Sequence, residues 1–410
     1  MGRFDRQAQS RPKHGPPTDS GASKAAAPPP SSRPVWRGSG LTKRAPPRKP
    51  QPSSAPHTPA PSLQENFLPV DLQQLILNIV RTTFPASQDF AALKPLLSQV
   101  NDALLLGDYQ TAFRTEEFRE AYAIRWSPSR ALMYSNVLAS ICDEYGDSPW
   151  VEQLLMDGGD APARVLCFGG GAAEVLAMAG VLRYRREDAA GKPDASLSSP
   201  SSPSPSPPLT LLLDLHLVDS ADWSGVISKV STGLTTAPQL SKYASAAARA
   251  QNAAFLSPHA LTTRCTQTDV LDLSLEDLQS TIGPEVTLIT ILFTLNDLYN
   301  TSIRRATSFL RTLSGVVPKG CLLLVIDARE ATYTADGVDG GQGKTYPMSW
   351  LLDKALLPDQ VTEDDEPAPE RPWEKLIDDT NRLCKLPDKR LSYPAGLENL
   401  KVQVHLFKRL

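Results

Sequence analysis

Long apolar runs and paired cysteines are both missing from this sequence. No apolar stretch approaches the ~20 residues that a membrane-spanning helix needs, so we expect no membrane partner. The charged residues at the N-terminus are not followed by an apolar segment, which argues against a secretory signal. The cysteines show no metal-ligand spacing, so we expect neither a metal site nor a disulfide framework, and we expect a reducing compartment. They are Cys142, Cys167, Cys265, Cys321 and Cys384.

Large apolar side chains are also scarce in residues 1–61, which are rich in Pro, Ser, Ala, Lys and Arg. Such a segment cannot bury enough surface to offset its ordering entropy, so we expect a disordered arm. Residues 1–60 hold 11 Lys/Arg and 2 Asp/Glu, whereas the other 350 residues hold 31 and 43. A basic arm on an acidic body favours binding to a polyanion such as RNA. A solvated tail or a targeting segment would have the same composition.

Two further parts follow the arm. Residues 62–150 predict a helical region, because apolar residues recur there at spacings of three and four. Residues 151–410 predict an α/β domain, because short apolar runs alternate with helical patterns. The predicted strands are 164–168, 209–218, 286–295 and 321–326, with a late antiparallel strand at 403–407. A Ser/Pro-rich stretch marks residues 185–208 as a low-complexity surface insertion, to which we assign no chemistry.

A glycine-rich turn carries the main functional signal. The segment Val165-Leu-Cys-Phe-Gly-Gly-Gly-Ala-Ala-Glu174 predicts a strand, a tight turn and the start of a helix. Gly169, Gly170 and Gly171 allow a ligand to approach the backbone closely. The dinucleotide fingerprint requires glycine at position 174, and the carboxylate of Glu174 would repel a pyrophosphate. The turn therefore favours S-adenosylmethionine (SAM), which carries a sulfonium and an ammonium but no phosphate, over NAD.

Three residues beyond the turn extend this prediction. An acidic residue about 20 positions after the glycines binds ribose hydroxyls in such folds. Gly171 and Asp219 are 48 positions apart, and removing the 24 residues of 185–208 leaves 24. Asp219 is therefore the predicted ribose ligand, or else it caps a turn. Trp223 is placed to flank the adenine, or to pack at the rim or in the core. Asp269 is placed to accept a hydrogen bond from the adenine amino group.

The segment Asn296-Asp-Leu-Tyr299 resembles the Asn-Pro-Pro-Tyr/Phe element of amino-directed methyltransferases, with Asp-Leu in place of Pro-Pro. That resemblance implies that Asn296 orients a planar nitrogen and that Tyr299 stacks on the base. Asp297 is a candidate general base, because an imide nitrogen must lose its proton to become a good nucleophile. The alternative is that Asn296 or Asp297 caps the next helix.

A second polar cluster, Arg125-Trp-Ser-Pro-Ser-Arg130, combines arginine with tryptophan. Arg125 and Trp126 are predicted to bind the ligand, because guanidinium and indole groups stack on bases and pair with phosphate or carboxylate. The alternative places Trp126 in the helical layer and both arginines in surface ion pairs. Cys167 and Cys321 fall within apolar strands, which argues against a cysteine nucleophile.

Taken together, these motifs resemble the fungal 25S ribosomal RNA uridine-N3-methyltransferase family. The resemblance covers about residues 65–410, and the matching segments are 121–131, 165–174, 218–224 and 293–298. It implies a class I (Rossmann-like) methyltransferase fold with a mostly parallel seven-stranded sheet, preceded by the helical region and the disordered arm. It also implies SAM as the methyl donor. The acceptor would be N3 of a uridine in large-subunit rRNA or a pre-ribosomal particle.

The resemblance further implies a location in the nucleus, nucleolus or cytoplasm, and it leaves the oligomeric state open. One departure concerns the acidic residue that class I enzymes carry two places before the first glycine, which is Cys167 here. We therefore expect Glu174 or Arg125 to contact the methionine end of SAM. Three alternatives stay open: a non-catalytic ribosome-assembly factor, a methyltransferase for protein or a small molecule, and a nucleotide-dependent oxidoreductase.

Overall fold

The computed structural model describes residues 67–155, 161–191, 211–250, 252–329, 332–335, 344–357 and 372–410. The described residues all belong to one unit, Pro61–Leu410. The predicted arm, residues 1–61, and residues 192–208 of the predicted insertion lie outside the described residues. The proposed division into arm, helical region and catalytic domain therefore stays a prediction.

Helices form the first described part of the chain. In α1, the buried residues Leu72, Ile76 and Val80 follow a spacing of four, which turns one apolar face toward the core. The fifth helix is buried along most of its length and packs against the helix that follows the first strand. The helices are α1 Val70–Thr83, α2 Phe90–Leu105, α3 Tyr109–Ala112, α4 Glu116–Arg125, α5 Ser127–Glu144 and α6 Pro149–Leu155.

The remaining elements alternate strand with helix until residue 328. The strands are β1 Ala163–Phe168, β2 Leu213–Asp219, β3 Leu261–Gln267, β4 Val286–Leu292, β5 Leu322–Ala328, β6 Thr332–Ala335, β7 Lys344–Pro347, β8 Trp373–Cys384 and β9 Leu400–Arg409. The helices are α7 Ala172–Gly191, α8 Ser224–Thr235, α9 Ala246–Ala250, α10 Leu275–Ile282, α11 Leu295–Thr301, α12 Ile303–Val316 and α13 Met348–Leu356. Within the described ranges, no helix is long and apolar enough to cross a bilayer.

Seven strands form one sheet in the order β3-β2-β1-β4-β5-β9-β8. Strands β1 to β5 pair in parallel, whereas β9 runs antiparallel to both of its neighbours. This arrangement confirms the predicted class I fold with a mostly parallel sheet and a late antiparallel strand. Strands β6 and β7 form a separate antiparallel hairpin after β5.

Apolar packing covers both faces of the sheet. Every residue of β4 is buried, as expected for a central parallel strand with helices on each side. One core cluster joins the sheet to α1, α5, α7 and α8, and the other joins it to α10, α11, α12 and α13.

Strand order also determines where a ligand can bind. From β1 the chain moves outward to β2 and β3, and it then returns to β4 on the other side of β1. Connections that leave in opposite directions open a crevice at the carboxyl ends of β1 and β4. The glycine-rich turn lies at this point, because it directly follows β1.

Candidate functional site

A cavity of about 380 Å³ lies at the carboxyl ends of β1, β2, β4 and β5. The sheet supplies one wall, and the segment from α3 to the start of α5 supplies another. The residues discussed below that line it are Tyr109, Phe113, Tyr122, Trp126, Arg130, Tyr134, Gly169, Gly171, Glu174, Asp219, Trp223, Asp269, Phe293, Thr294, Asn296, Asp297 and Asp327. The structure thus brings together most of the residues predicted from sequence.

The glycine-rich turn forms the floor of the cavity and depends on glycine at position 169. Gly169 has φ +69°, and a Cβ there would overlap the side chain of Thr294. Gly170 does not line the cavity, because it faces Cys167 and Leu217. At Gly171 a Cβ would lie 3.7 Å from the Trp223 ring, which is ordinary contact. Gly169 and Gly171 therefore expose backbone to the cavity.

Glu174 is buried in the first turn of α7, with 5% of its surface exposed. Its carboxylate accepts a hydrogen bond from the backbone N–H of Gly171 over 2.7 Å. Burial raises its pKa to about 7, although that hydrogen bond and the charge of Arg130 act in the opposite direction. A buried carboxylate thus lies in the cavity wall beside the glycine-rich turn.

Asp219 is the last residue of β2 and also lines the cavity. Its Oδ1 accepts a hydrogen bond from the N–H of Ala221 over 2.7 Å, and the Trp223 side chain bonds it as well. Burial raises its pKa to about 6. Asp219 therefore caps a turn, as the alternative interpretation held, and it also presents a carboxylate to the cavity. Asp269 also has both roles. Its Oδ1 accepts a hydrogen bond from the N–H of Leu271 over 2.9 Å, which caps a turn, and its side chain lines the cavity.

Four aromatic rings form a continuous wall beside these carboxylates. Trp223 lies 5.3 Å from Phe113 and 5.8 Å from Tyr122, measured between ring centroids. Tyr122 in turn lies 5.1 Å from Trp126. Trp223 is buried, as the alternative placement in the core predicted, and it also lines the cavity. Flat apolar surfaces of this kind suit purine and pyrimidine rings.

Asn296 and Asp297 lie in the first turn of α11, directly after β4. The backbone N–H of Asn296 donates to Asp327 over 2.9 Å, and its Oδ1 accepts from the hydroxyl of Tyr333 over 2.6 Å. The side chains of Tyr109 and Asn296 hydrogen-bond Asp297, whose pKa is raised by burial. The helix-capping alternative is wrong, because the N-cap of α11 is Thr294, and the carboxylate that accepts from its first turn belongs to Asp327.

Besides Gly170, two predicted site residues lie outside the cavity wall. Tyr299 is 2% exposed and packs against Tyr333, with the two ring centroids 5.2 Å apart. Arg125 forms an ion pair with Glu398, so the surface-pair alternative describes it correctly. The alternative fails for Arg130, which lines the cavity. Stacking by Tyr299 and ligand contact by Arg125 gain no support from this geometry.

Sequence analysis missed several residues that line the cavity. Asp327 ends the buried part of β5, is 1% exposed and has its pKa raised by burial to about 7. Its signal was available, because an acidic residue at the carboxyl end of a parallel strand faces the crevice. Tyr109, Tyr134 and Phe293 carried no comparable signal, since aromatic residues at such spacings are ordinary core positions.

Charge is the most informative property of this cavity. Among its described lining residues are five carboxylates, Glu174, Asp219, Asp269, Asp297 and Asp327, and one cation, Arg130. Burial raises the pKa of Glu174, Asp219 and Asp327, because loss of water disfavours their charged forms. Such a cavity disfavours a diphosphate and fits a ligand with a sulfonium and an ammonium. These residues therefore fit SAM.

Comparison with known proteins agrees with this geometry. Residues 80–408 match the family described as "Putative SAM-dependent methyltransferase". The 25S rRNA (uridine(2843)-N(3))-methyltransferase of Saccharomyces cerevisiae is 28% identical over 344 residues, which are 82% of this chain and 85% of that protein.

Solved structures with a similar chain path include two methyltransferases. TrmN from Thermus thermophilus is 14% identical, with 70% of this chain and 53% of that chain covered and a TM-score of 0.31. The N-methyltransferase NodS from Bradyrhizobium japonicum, in complex with S-adenosyl-L-homocysteine, is 11% identical. The match covers 65% of this chain and 90% of that chain, with a TM-score of 0.28. Strand order, an anionic cavity and a family match over most of the sequence establish that this chain belongs to a family of SAM-dependent methyltransferases and uses SAM as its cofactor.

Proposed function

We propose that this protein transfers a methyl group from SAM to N3 of a uridine in large-subunit ribosomal RNA. Support for the reaction comes from the carboxylate of Asp297, which lies in the cavity wall and is held by Tyr109 and Asn296. Support for the substrate comes from the similarity to the yeast uridine-N3-methyltransferase.

The nucleoside half of SAM would bind at the carboxyl ends of β2 and β3. Asp219 binds the ribose hydroxyls, Trp223 flanks the adenine, and Asp269 accepts from its amino group. Gly169 and Gly171 allow the cofactor to lie against the backbone, and Glu174 faces its positively charged methionine end. When bound, SAM supplies an electrophilic methyl group.

The protein's own contribution is to position the uracil and remove its N3 proton. Asp297 accepts this proton, because its raised pKa brings its basicity closer to that of the imide. Asn296 is held at its backbone by Asp327 and at its amide by Tyr333, which keeps Asp297 in place. Fixed alignment of reacting groups can lower a barrier by ~7–11 kcal/mol, so positioning supplies most of the rate.

The acceptor must be an unpaired or extruded uridine, because N3 lies on the Watson–Crick edge and is inaccessible in a duplex. Tyr122 and Trp126 provide aromatic surface for the extruded base. The partner is then large-subunit rRNA or a pre-ribosomal particle in the nucleus, nucleolus or cytoplasm. The basic arm, residues 1–61, would act as an electrostatic tether.

Mapping of rRNA base methylation in a strain that lacks this protein tests the proposal. We expect one large-subunit uridine to lose its N3 methyl group, and a complementing gene to restore it. An unchanged rRNA methylation pattern would contradict the proposed substrate. A titration with SAM and NAD then separates the rivals: a folded sample that binds neither is an assembly factor, and one that binds NAD alone is an oxidoreductase.

A further inference from the structure

Arg130 is the sole cation among the described residues that line the cavity, where five carboxylates face it. It lies in the first turn of α5, where its charge also acts to lower the pKa of the proposed base, Asp297. A partly buried charge of this kind needs a partner of opposite sign. Glu174 contributes to its electrostatic environment, yet Glu174 already accepts a hydrogen bond from Gly171.

The surroundings of Arg130 hold the guanidinium in a fixed position. Within the described part of the chain it donates to the hydroxyl of Tyr122, and it lies 4.4 Å over the ring of Phe293. Phe293 has φ +53°, a left-handed conformation that is strained for a large side chain. Such strain concentrates at functional sites. A guanidinium carries five N–H donors, so one bond to Tyr122 leaves donors for a ligand.

We propose that Arg130 binds the α-carboxylate of SAM and so selects a cofactor that carries this group. SAM combines a sulfonium, an ammonium and one carboxylate, and five acidic side chains would repel that carboxylate. The positive charge of Arg130 would attract the carboxylate at its own position in the cavity wall. The assignment rests on the proposed placement of SAM in this cavity.

A pair of ligands tests the role of Arg130. Calorimetric Kd values would be measured for SAM and for decarboxylated S-adenosylmethionine, which keeps both positive charges but lacks the carboxylate. The wild-type protein should bind SAM about 10- to 100-fold more tightly than the decarboxylated ligand, as expected for hydrogen bonds to a charged group. Arg130→Gln should invert this preference, because an all-acidic cavity favours the more cationic ligand.

Several outcomes would separate the possible failures. Equal affinity of the wild-type protein for both ligands overturns the proposal without any variant. An unchanged preference in Arg130→Gln overturns it as well, and Arg130→Lys should show an intermediate preference if Gln prevents folding. Arg185→Gln is the matched control, because Arg185 pairs with Asp143 away from the cavity. Failure of the wild-type protein to bind SAM here would instead contradict the placement of the cofactor.

A second surface feature lies outside the cavity. The rings of Tyr346 and Trp350 stack at 4.5 Å with planes 16° apart, and Trp350 is 43% exposed. Lys354, one helical turn further along α13, places its Nζ 5.7 Å from the centre of the Trp350 ring. An exposed aromatic face with an adjacent ammonium suits a nucleobase and its phosphate.

Contacts through the β6–β7 hairpin connect this stack to the cavity. Tyr346 lies directly opposite Tyr333 in the hairpin, and Tyr333 donates to the side chain of Asn296. The hairpin also follows β5, whose end carries Asp327. A nucleotide on Trp350 would thus lie on the same side of the molecule as the proposed acceptor site.

We infer that Tyr346 and Trp350 bind an unpaired base near the acceptor uridine, with Lys354 beside its phosphate. This inference rests on the proposed RNA substrate. Bases that neighbour an extruded uridine lose stacking partners, and an aromatic platform replaces them.

Binding of a short single-stranded RNA, followed by fluorescence anisotropy, tests the platform. Trp350→Ala should weaken RNA binding about 5- to 100-fold and leave SAM affinity unchanged, as one lost stacking contact implies. Tyr243→Ala is a matched control, because Tyr243 is 83% exposed with Lys242 5.0 Å from its ring. Tyr243 lies between α8 and β3, at the opposite end of the strands.

Unchanged RNA affinity in Trp350→Ala would overturn the platform, and so would equal weakening by both variants. If Trp350→Ala binds and methylates RNA as the wild type does, the proposed function is kept and the proposed base-stacking role of Trp350 is contradicted. If the wild-type protein binds no RNA, the proposed substrate fails first.

Discussion

The backbone N–H of Gly171 donates a hydrogen bond to the carboxylate of Glu174 over 2.7 Å. This bond links the glycine-rich turn to the first turn of α7 and keeps a buried acid beside the cavity. Class I methyltransferases usually place an acidic residue on the first strand, where this chain has the buried thiol of Cys167. Glu174 therefore provides negative charge from the helix side of the turn.

Stability without cofactor should fall as the pH rises from about 4 to 7. Burial raises the pKa values of Glu174, Asp219 and Asp327 to about 7, 6 and 7. In this window the folded state retains protons that the unfolded chain has lost, so each added pH unit favours unfolding. Thermal unfolding of the wild type and Glu174→Gln at pH 5 and pH 7.5 isolates this effect from His216 and His405, whose lowered pKa values act in the opposite direction. An equal change in melting temperature in both proteins would contradict it.

SAM binding should show the opposite pH dependence. A ligand with two positive charges favours the ionised carboxylates, so binding releases protons and affinity rises roughly tenfold from pH 5.5 to 7.5. Calorimetry in buffers of different ionisation enthalpy measures the proton release. Glu174→Gln should reduce that release, and an identical release in this variant would exclude Glu174 as its source.

Glycine substitutions in the turn should have unequal effects. Gly169→Ala combines a left-handed φ with an overlap with Thr294, so it should lower the free energy of unfolding by about 2 kcal/mol or more and weaken SAM binding. Gly171→Ala makes only an ordinary contact with Trp223 and should leave stability nearly unchanged. Denaturant unfolding of the two variants compares them, and equal stability would contradict the geometry of the turn.

Much of this site could be predicted from sequence, because the motifs lie where strands end. The glycine turn, Asp219 and Asp297 lie at the ends of strands that apolar runs identify, and parallel strands direct their carboxyl ends to one edge. Strand β3, which precedes Asp269, has no apolar run and was not among the predicted strands. Strand β8 was missed because its segment, Trp373–Cys384, has mostly partly exposed residues at the edge of the sheet and no regular alternation. Sequence analysis treated Arg125 and Arg130 as parts of one polar cluster. Only the structure distinguishes them, because Arg130 lines the cavity whereas Arg125 pairs with Glu398.

Asp219→Ala should weaken SAM binding by about 1–3 kcal/mol, since it removes hydrogen bonds to the ribose. Asp219→Asn separates the two roles of this residue, because its amide oxygen still accepts from Ala221. Both variants would be titrated with SAM after their folding is verified. If Asp219→Ala binds SAM as the wild type does, Asp219 is only a turn cap.

Asp297→Asn should reduce methyl transfer far more than it reduces SAM affinity. The rate of the wild-type protein should rise with pH as Asp297 ionises, and the variant should lose this acidic limb. Asp272→Asn is the control, because Asp272 is an exposed partner of Arg305. Equal turnover in Asp297→Asn and wild type would exclude Asp297 as the base.

Deletion of residues 1–61 removes 11 lysines and arginines and should weaken RNA binding. The slope of log K against log salt should become shallower, because fewer counterions are released from the RNA. SAM affinity should not change. An identical salt slope for the full chain and the deletion variant would show that the arm does not contact RNA.

Nucleoside mass spectrometry of the reaction product tests the central claim most directly. Large-subunit rRNA from a strain that lacks the protein would be incubated with the purified full chain and isotopically labelled SAM. The account predicts labelled 3-methyluridine at a single position, and almost none with Asp297→Asn. Label on another atom of the base, on the ribose or on protein, or no label despite bound SAM, would contradict it.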